Sequence, residues 1–186
     1  MERQEDCVRI GFHTCEDMLG KLEREGQRLL ASHDADDVMN FCMTGHHLLE
    51  DWLRWSGSDV MRKRHKMITG DAKAVIQILY DISNGSKHFR LTREKSIKAR
   101  VLDKSYAEPI DDWWKYFFAP TFNYETKDLG LNHEQFVSQV IGYLAWIVRG
   151  PGDTIPQNLL AELEQLRKSQ DANGNDKDPS PDPCKS

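Results

Sequence analysis

A polar cluster near the end of the longest clear helical pattern contains the residues best suited to chemistry. The pattern runs from Asp71 to Arg90, and its polar cluster reads Ser83-Asn84-Gly85-Ser86-Lys87-His88. Histidine can exchange a proton near neutral pH, and a fixed cation beside it can stabilise developing phosphate charge. Polar residues where a packed helix should remain apolar are typical of functional sites. The cluster therefore predicts a site for an anion.

Two residues of this cluster resemble the active motif of the HEPN superfamily of small helical bundles. That motif lies near the end of a long helix and contains an arginine, a polar residue that is often Asn or Asp, a few variable positions and then a histidine. Asn84 stands at the polar position and His88 at the histidine, while Ser83 stands where the motif has its arginine. The resemblance covers this stretch in detail and, beyond it, the general plan of antiparallel helices.

The resemblance implies an RNA-directed module of the kind found in prokaryotic stress or defence systems. It implies metal-independent RNA cleavage in a composite site between two subunits, with His88 and Asn84 as catalytic residues and with neither a metal nor a cofactor. Lys87 or Arg90 would have to replace the arginine, but lysine lacks the planar fork that arginine offers to phosphate. We therefore expect a homodimer that binds RNA and cleaves it slowly or not at all.

The same residues allow a purely structural interpretation. Asn84-Gly85 could end the helix, so that Asn84 is a cap and His88 lies in a loop. The corresponding functional alternative is a non-catalytic protein that holds a protein partner through its acidic body or its aromatic segment.

Basic residues are concentrated in two segments of an acidic chain, whose formal net charge is -5. One group is Arg62, Lys63, Arg64 and Lys66, and the other lies between Lys87 and Lys104. Such segregation allows a local anion-binding surface, although two solvated faces would give the same pattern. The nucleic-acid-binding candidates are Lys87, Arg90, Lys98, Arg100, Arg62 and Arg64.

Two residues are expected to support the site, namely Asp81 and His46. Asp81 opens the motif stretch, and His46 borders the apolar face of a preceding helix. A buried histidine needs a hydrogen-bond partner, so His46 is a candidate to pair with the polar cluster or with a backbone carbonyl. His47 and Glu50 are expected to form a solvated pair three residues apart. No metal site is expected.

Hydrophobic periodicity predicts a mainly α fold, an antiparallel helical bundle with a small β appendage. Helices are predicted over residues 14–32, 35–55, 71–84, 133–149 and 156–168, with a short basic helix or irregular link near 60–69. Thr14 with Asp17 and Asn132 with Gln135 are candidate capping pairs. A hairpin or meander is predicted over 96–127, where the aromatic run 113–118 could pack on the helices or stack on bases.

Composition indicates one domain with unstructured ends. Residues 1–13 are a lead-in, 14–168 form the domain, and 169–186 have too little apolar surface to be ordered. The chain has four cysteines without a paired motif, opens without a signal-peptide pattern and has no apolar run long enough to span a membrane. These features predict a cytoplasmic protein without membrane contact.

Overall fold

A computed structural model describes residues 11–32, 34–87, 100–105, 121–126 and 129–173 of the chain. The predicted mainly helical fold with a small antiparallel sheet is confirmed. The helices are α1 (Cys15–Ser32), α2 (Ala35–His47), α3 (Leu53–Trp55), α4 (Asp59–Met67), α5 (Gly70–Lys87), α6 (His133–Arg149) and α7 (Gln157–Asn173). A π-helical turn at Leu48–Trp52 joins α2 to α3, so the predicted helix over 35–55 is continuous.

Both predicted capping pairs are present and set the starts of two helices. The Thr14 amide donates to Asp17 Oδ2 at 2.9 Å, and the Asp17 amide donates to Thr14 Oγ1 at 3.1 Å. Asn132 and Gln135 form the same reciprocal arrangement at the start of α6. Each pair satisfies amide groups that have no partner inside the helix.

Two helices extend beyond their predicted ends. α5 continues through Asn84-Gly85 to Lys87, so the interpretation in which this dipeptide ends the helix is wrong. Gly85 is exposed and is not among the glycines with positive φ, so its backbone is not used for a left-handed cap. α7 continues past residue 168 to Asn173, and its first turns carry the two leucines that are buried, Leu159 and Leu163.

The sheet has three antiparallel strands in the order β1-β2-β3, formed by β1 (Arg100–Ser105), β2 (Thr121–Glu125) and β3 (Gly130–Leu131). It confirms the expected meander and extends it past residue 127. Tyr124 of β2 is fully buried, stacks on Phe136 with ring centroids 4.2 Å apart, and bonds His133 at 3.0 Å. These contacts dock the sheet on the first turn of α6. The aromatic run 113–118 lies outside the described residues.

The core lies where α1, α2, α5 and α6 pack together. Its largest fully buried apolar side chains include Leu19, Leu22, Leu29, Phe41, Ile78, Leu79, Phe136, Leu144 and Ile147. A Cβ at Gly26 of α1 would lie 3.2 Å from both Phe41 and Val137 and 2.7 Å from Ile141. Gly26 thus allows α1 to approach α2 and α6 closely. Within the described part of the chain, no helix is both long and apolar enough to cross a membrane.

Candidate anion-binding site

Ser83, at the position where the motif has arginine, is completely buried on the core side of α5. Its hydroxyl lies 2.8 Å from Nδ1 of His46, which α2 places against α5. The expected pairing of His46 with the polar cluster is therefore present. Position 83 is directed into the core, so Ser83 neither carries a cation nor faces solvent.

Asp81, expected to support the site, and Asn84, at the polar position of the motif, have different environments on α5. Asp81 is buried and its Oδ1 accepts a 2.8 Å hydrogen bond from the amide of Gln77, one turn earlier. Asn84 is half-buried. Asn84 follows Tyr80 by four residues, so the two side chains share a face of the helix.

Several predicted site residues lie where their side chains are not described. His88, Arg90 and Lys98 fall outside the described residues. Lys87 is the last residue of α5, and Arg100 begins β1 opposite Glu125 of β2. Their roles remain the predictions that the sequence makes.

Arg64 stabilises the fold at the end of α6 and is not presented to solvent. The side chain is 7 % exposed, and its guanidinium donates to the carbonyls of Gly152 at 2.9 Å and Ile147 at 3.2 Å. Helix ends leave carbonyls without intrahelical partners, and a cation is favourable there. Arg64 is therefore left out of the nucleic-acid-binding set.

Arg62 and Lys63 are also engaged by neighbours within the fold. Arg62 pairs with Asp59 at 2.7 Å and donates to the carbonyl of Gly57, which closes the loop before α4. Lys63 pairs with Asp153 at 2.5 Å. Two of the four basic residues in this segment are thus paired with carboxylates. Lys66 differs from these three, because among the described residues its ammonium group has neither a carboxylate nor a carbonyl partner.

A cavity of about 210 Å³ lies between the last turn of α4 and the first turns of α5. Its lining residues are His65, Lys66, Ile68, Lys73, Ile76, Gln77 and Tyr80. Lys66 and Lys73 are both exposed, and within the described ranges no carboxylate pairs with either. Ile68 and Ile76 are buried and form its apolar wall. An apolar wall with two unpaired ammonium groups is suited to a small anion.

Burial shifts the proton equilibria of two rings in the cavity. It lowers the pKa of His65, and the Glu50 carboxylate opposes this shift. The pKa of Tyr80 is raised by burial and, to a smaller extent, by the same Glu50 carboxylate. At neutral pH both rings are therefore uncharged. A neutral imidazole still carries one N–H group, with which His65 can donate to an anion.

Tyr80 connects the cavity to the motif position. Its ring packs on His46 with centroids 4.8 Å apart, and His46 bonds Ser83. On α5 the cavity residues Lys73, Gln77 and Tyr80 follow each other at spacings of four and three, and Asn84 continues this stripe. One face of α5 therefore runs from the cavity to Asn84.

Glu50 lies in the π-helical turn between α2 and α3, and its carboxylate acts on both His65 and Tyr80. π-helical turns inside α-helices are frequent at functional sites. His47 bonds Asp51 at 2.7 Å, so the expected pair of His47 with Glu50 is replaced by one with its i+4 neighbour. Among the described residues, no group of three histidine, cysteine or acidic side chains is placed to hold a metal ion.

The sequence predicts Arg62 and Arg64 as nucleic-acid-binding residues, but not Lys66 and Lys73, which line the cavity. Asp59, three residues before Arg62, was the available signal that Arg62 has a local partner. Nothing in the sequence indicates that Arg64 caps α6, because its acceptor carbonyls lie more than eighty residues away along the chain.

Comparison with models of known families, with curated proteins and with solved structures finds no match to this chain.

Proposed function

We propose that this protein is an RNA-binding helical module, HEPN-like in plan, that holds RNA without efficient cleavage. The observation that carries the proposal is the cavity between α4 and α5, where Lys66 and Lys73 have no carboxylate partner among the described residues. Phosphate contacts from lysines supply most of the sequence-independent affinity for nucleic acid. The same face of α5 leads to Asn84, one of the two residues that match the motif.

The burial of Ser83 supports binding without efficient cleavage. Cleavage of the motif's kind needs a fixed cation to stabilise phosphate charge in the transition state. Position 83 contributes a serine that bonds His46 inside the core instead. We therefore expect RNA to be bound and to remain largely intact.

The test is the salt dependence of binding to a short labelled single-stranded RNA, measured by fluorescence anisotropy. The variant Lys66→Ala/Lys73→Ala should bind more weakly. The slope of log K against log salt should become shallower by roughly 1.4, from two lysines at roughly 0.7 each.

A matched variant controls for loss of charge alone. Lys63→Ala/Lys168→Ala removes the same two charges from lysines that pair with Asp153 and Glu164. It should leave the slope nearly unchanged. If the wild-type protein does not bind RNA at low salt, the proposal is excluded. If the two double variants show equal slopes, RNA binds elsewhere than in the cavity.

Cleavage is assayed with the same RNA in the presence of a metal chelator. We expect little or no product from the wild-type protein. Any product that does form should disappear in His88→Ala, with RNA affinity mostly retained, because lysines and arginines make the phosphate contacts. Rapid cleavage by wild-type protein would show that the missing arginine is replaced from elsewhere in the chain.

A homodimer is part of the proposal, because the resemblance implies a site shared by two subunits. Sedimentation equilibrium over a range of concentrations should give twice the chain mass of 21.5 kDa. A monomer at all concentrations would restrict the proposal to RNA held by a single chain.

One observation favours a protein partner as the second candidate function. Trp55 at the end of α3 is 70 % exposed, and Val60 at the start of α4 is 47 % exposed. Exposed aromatic residues are enriched at protein interfaces. The salt-dependence experiment separates the candidates, because a purely protein-binding module should not bind RNA even at low salt.

A further inference from the structure

The size of the cavity between α4 and α5 limits what it can hold. Pockets for whole small-molecule ligands commonly have volumes of about 300–1,000 Å³. At about 210 Å³, this cavity holds a fragment of a nucleotide, such as a phosphate with part of its sugar. Buried Ile68 and Ile76 form the apolar wall of the space that this fragment would occupy.

The charged side chains that line the cavity match a dianion better than a monoanion. The Glu50 carboxylate, which acts on His65 and Tyr80, is not among the lining residues. Lys66 and Lys73 supply two fixed positive charges, and the half-buried imidazole of His65 can add a third donor. A phosphodiester inside an RNA chain carries one negative charge. A terminal phosphomonoester carries about -1.5 to -2 at neutral pH and has three strong acceptor oxygens.

The neutral groups in the cavity suit the sugar next to such a phosphate. One N–H group of the Gln77 amide donates to Asp81, which orients the side-chain amide. Its carbonyl oxygen is therefore the atom left to accept a hydrogen bond from a ribose hydroxyl. Tyr80 adds an aromatic surface that is fixed by its packing on His46.

We propose that the cavity between α4 and α5 binds the terminal phosphomonoester of an RNA end. This inference rests on the proposed RNA-binding function and names the part of the RNA that enters the cavity. Lys66 and Lys73 bind the phosphate oxygens, His65 donates a further hydrogen bond, and Gln77 accepts from the adjacent ribose.

The test compares three RNAs of identical sequence, which carry a 5′-phosphate, a 3′-phosphate or hydroxyls at both ends. Anisotropy titrations should show at least one phosphorylated RNA bound about tenfold more tightly than the hydroxyl form, as expected for an added charge-assisted contact. The phosphorylated RNA that binds more tightly shows whether the 5′ end or the 3′ end enters the cavity. The gain should disappear in Lys66→Ala/Lys73→Ala and persist in Lys63→Ala/Lys168→Ala.

A second measurement locates the phosphate without RNA. Titration with inorganic phosphate should move the imidazole proton resonances of His65 in the wild-type protein and not in Lys66→Ala/Lys73→Ala. Equal affinity for all three RNAs would overturn the terminal-phosphate inference and leave RNA binding intact. Failure of every RNA to bind at low salt would overturn the inference and the proposed function together.

Discussion

The same residue type has different chemical roles in this chain because its surroundings differ. His46 and His65 both lie on helices and both are half-buried, yet His46 bonds a buried serine while His65 borders an open cavity. Arg64 and Lys66 are two residues apart, and one caps a helix end while the other lies beside the cavity. Residue type in the sequence therefore indicates possible chemistry, and only packing decides which of it is available.

The hydrogen bond between Ser83 and His46 should contribute measurably to stability. Ser83→Ala leaves Nδ1 of a half-buried histidine without this partner, at an expected cost of about 1–3 kcal/mol in the free energy of unfolding. Urea denaturation measures the difference. Ser138→Ala is the matched control, because Ser138 is exposed on α6 and alanine favours helix. A Ser83 variant as stable as this control would show that the bond contributes little.

The lowered pKa of His65 should make stability depend on pH. The folded protein favours neutral His65, whereas the unfolded chain takes up a proton near the ordinary histidine pKa of 6.5. The resulting stability is present above the unfolded pKa and is lost as pH falls through the lower folded value. The Glu50 carboxylate acts on this ring, and the ionisable side chains of Lys66, Lys73 and Tyr80 line the same cavity.

Melting temperatures measured at several pH values check this dependence. On acidification from about pH 7.5 to about pH 5, the wild-type protein should lose more stability than His65→Gln, because other groups titrate equally in both. A wild-type loss no larger than that of the variant would contradict the shifted pKa.

At the scale of elements, the sequence predicts what local rules determine. The capping pairs of α1 and α6 were found because their donors and acceptors lie three residues apart, and the helices between them followed from apolar spacing. The predicted end of α5 at residue 84 is wrong, because Asn84-Gly85 ends a helix only when its glycine adopts a positive φ, and Gly85 does not. The role of Arg64 was missed because its partners come from a distant segment.

Gly26 should be required for the close packing of α1 on its two neighbours. Sequence rules assign glycine a small cost in a helix interior, but an added methyl here would press on fully buried Phe41 and Val137. Gly26→Ala should therefore destabilise the protein by about 1–3 kcal/mol. Gly20→Ala on the same helix is the control, because its Cβ would meet only Arg24, at 3.5 Å, and it should stabilise by up to about 1 kcal/mol.

Thermal denaturation of the two glycine variants gives opposite expected signs. A Gly26 variant that is stabilised as much as the Gly20 variant would show that Ile141 and its neighbours move aside without cost. Such a result would leave helix propensity as the main role of this position.

At the scale of the whole molecule, contacts between distant segments hold the last helix and create the cavity. α7 is attached by buried Leu159 and Leu163, and Arg167 lies 3.5 Å from Asp71 at the start of α5. The cavity needs the end of α4 and the start of α5 together, which no local pattern specifies. The fold class was therefore predictable from periodicity, whereas the site depended on how the helices meet.

Deletion of residues 170–186 should leave stability nearly unchanged. The described contacts that attach α7, through Leu159, Leu163 and Arg167, all precede the cut, and the deleted sequence is rich in polar residues. The positive control is Leu163→Ala in the full chain, which should cost about 2–5 kcal/mol, or about 2–4 °C of melting temperature per kcal/mol. Differential scanning calorimetry measures both. Leu163→Ala shows how far the melting temperature falls when a packed side chain is lost. A comparable drop of several degrees on deletion would show that residues 170–186 pack on the domain.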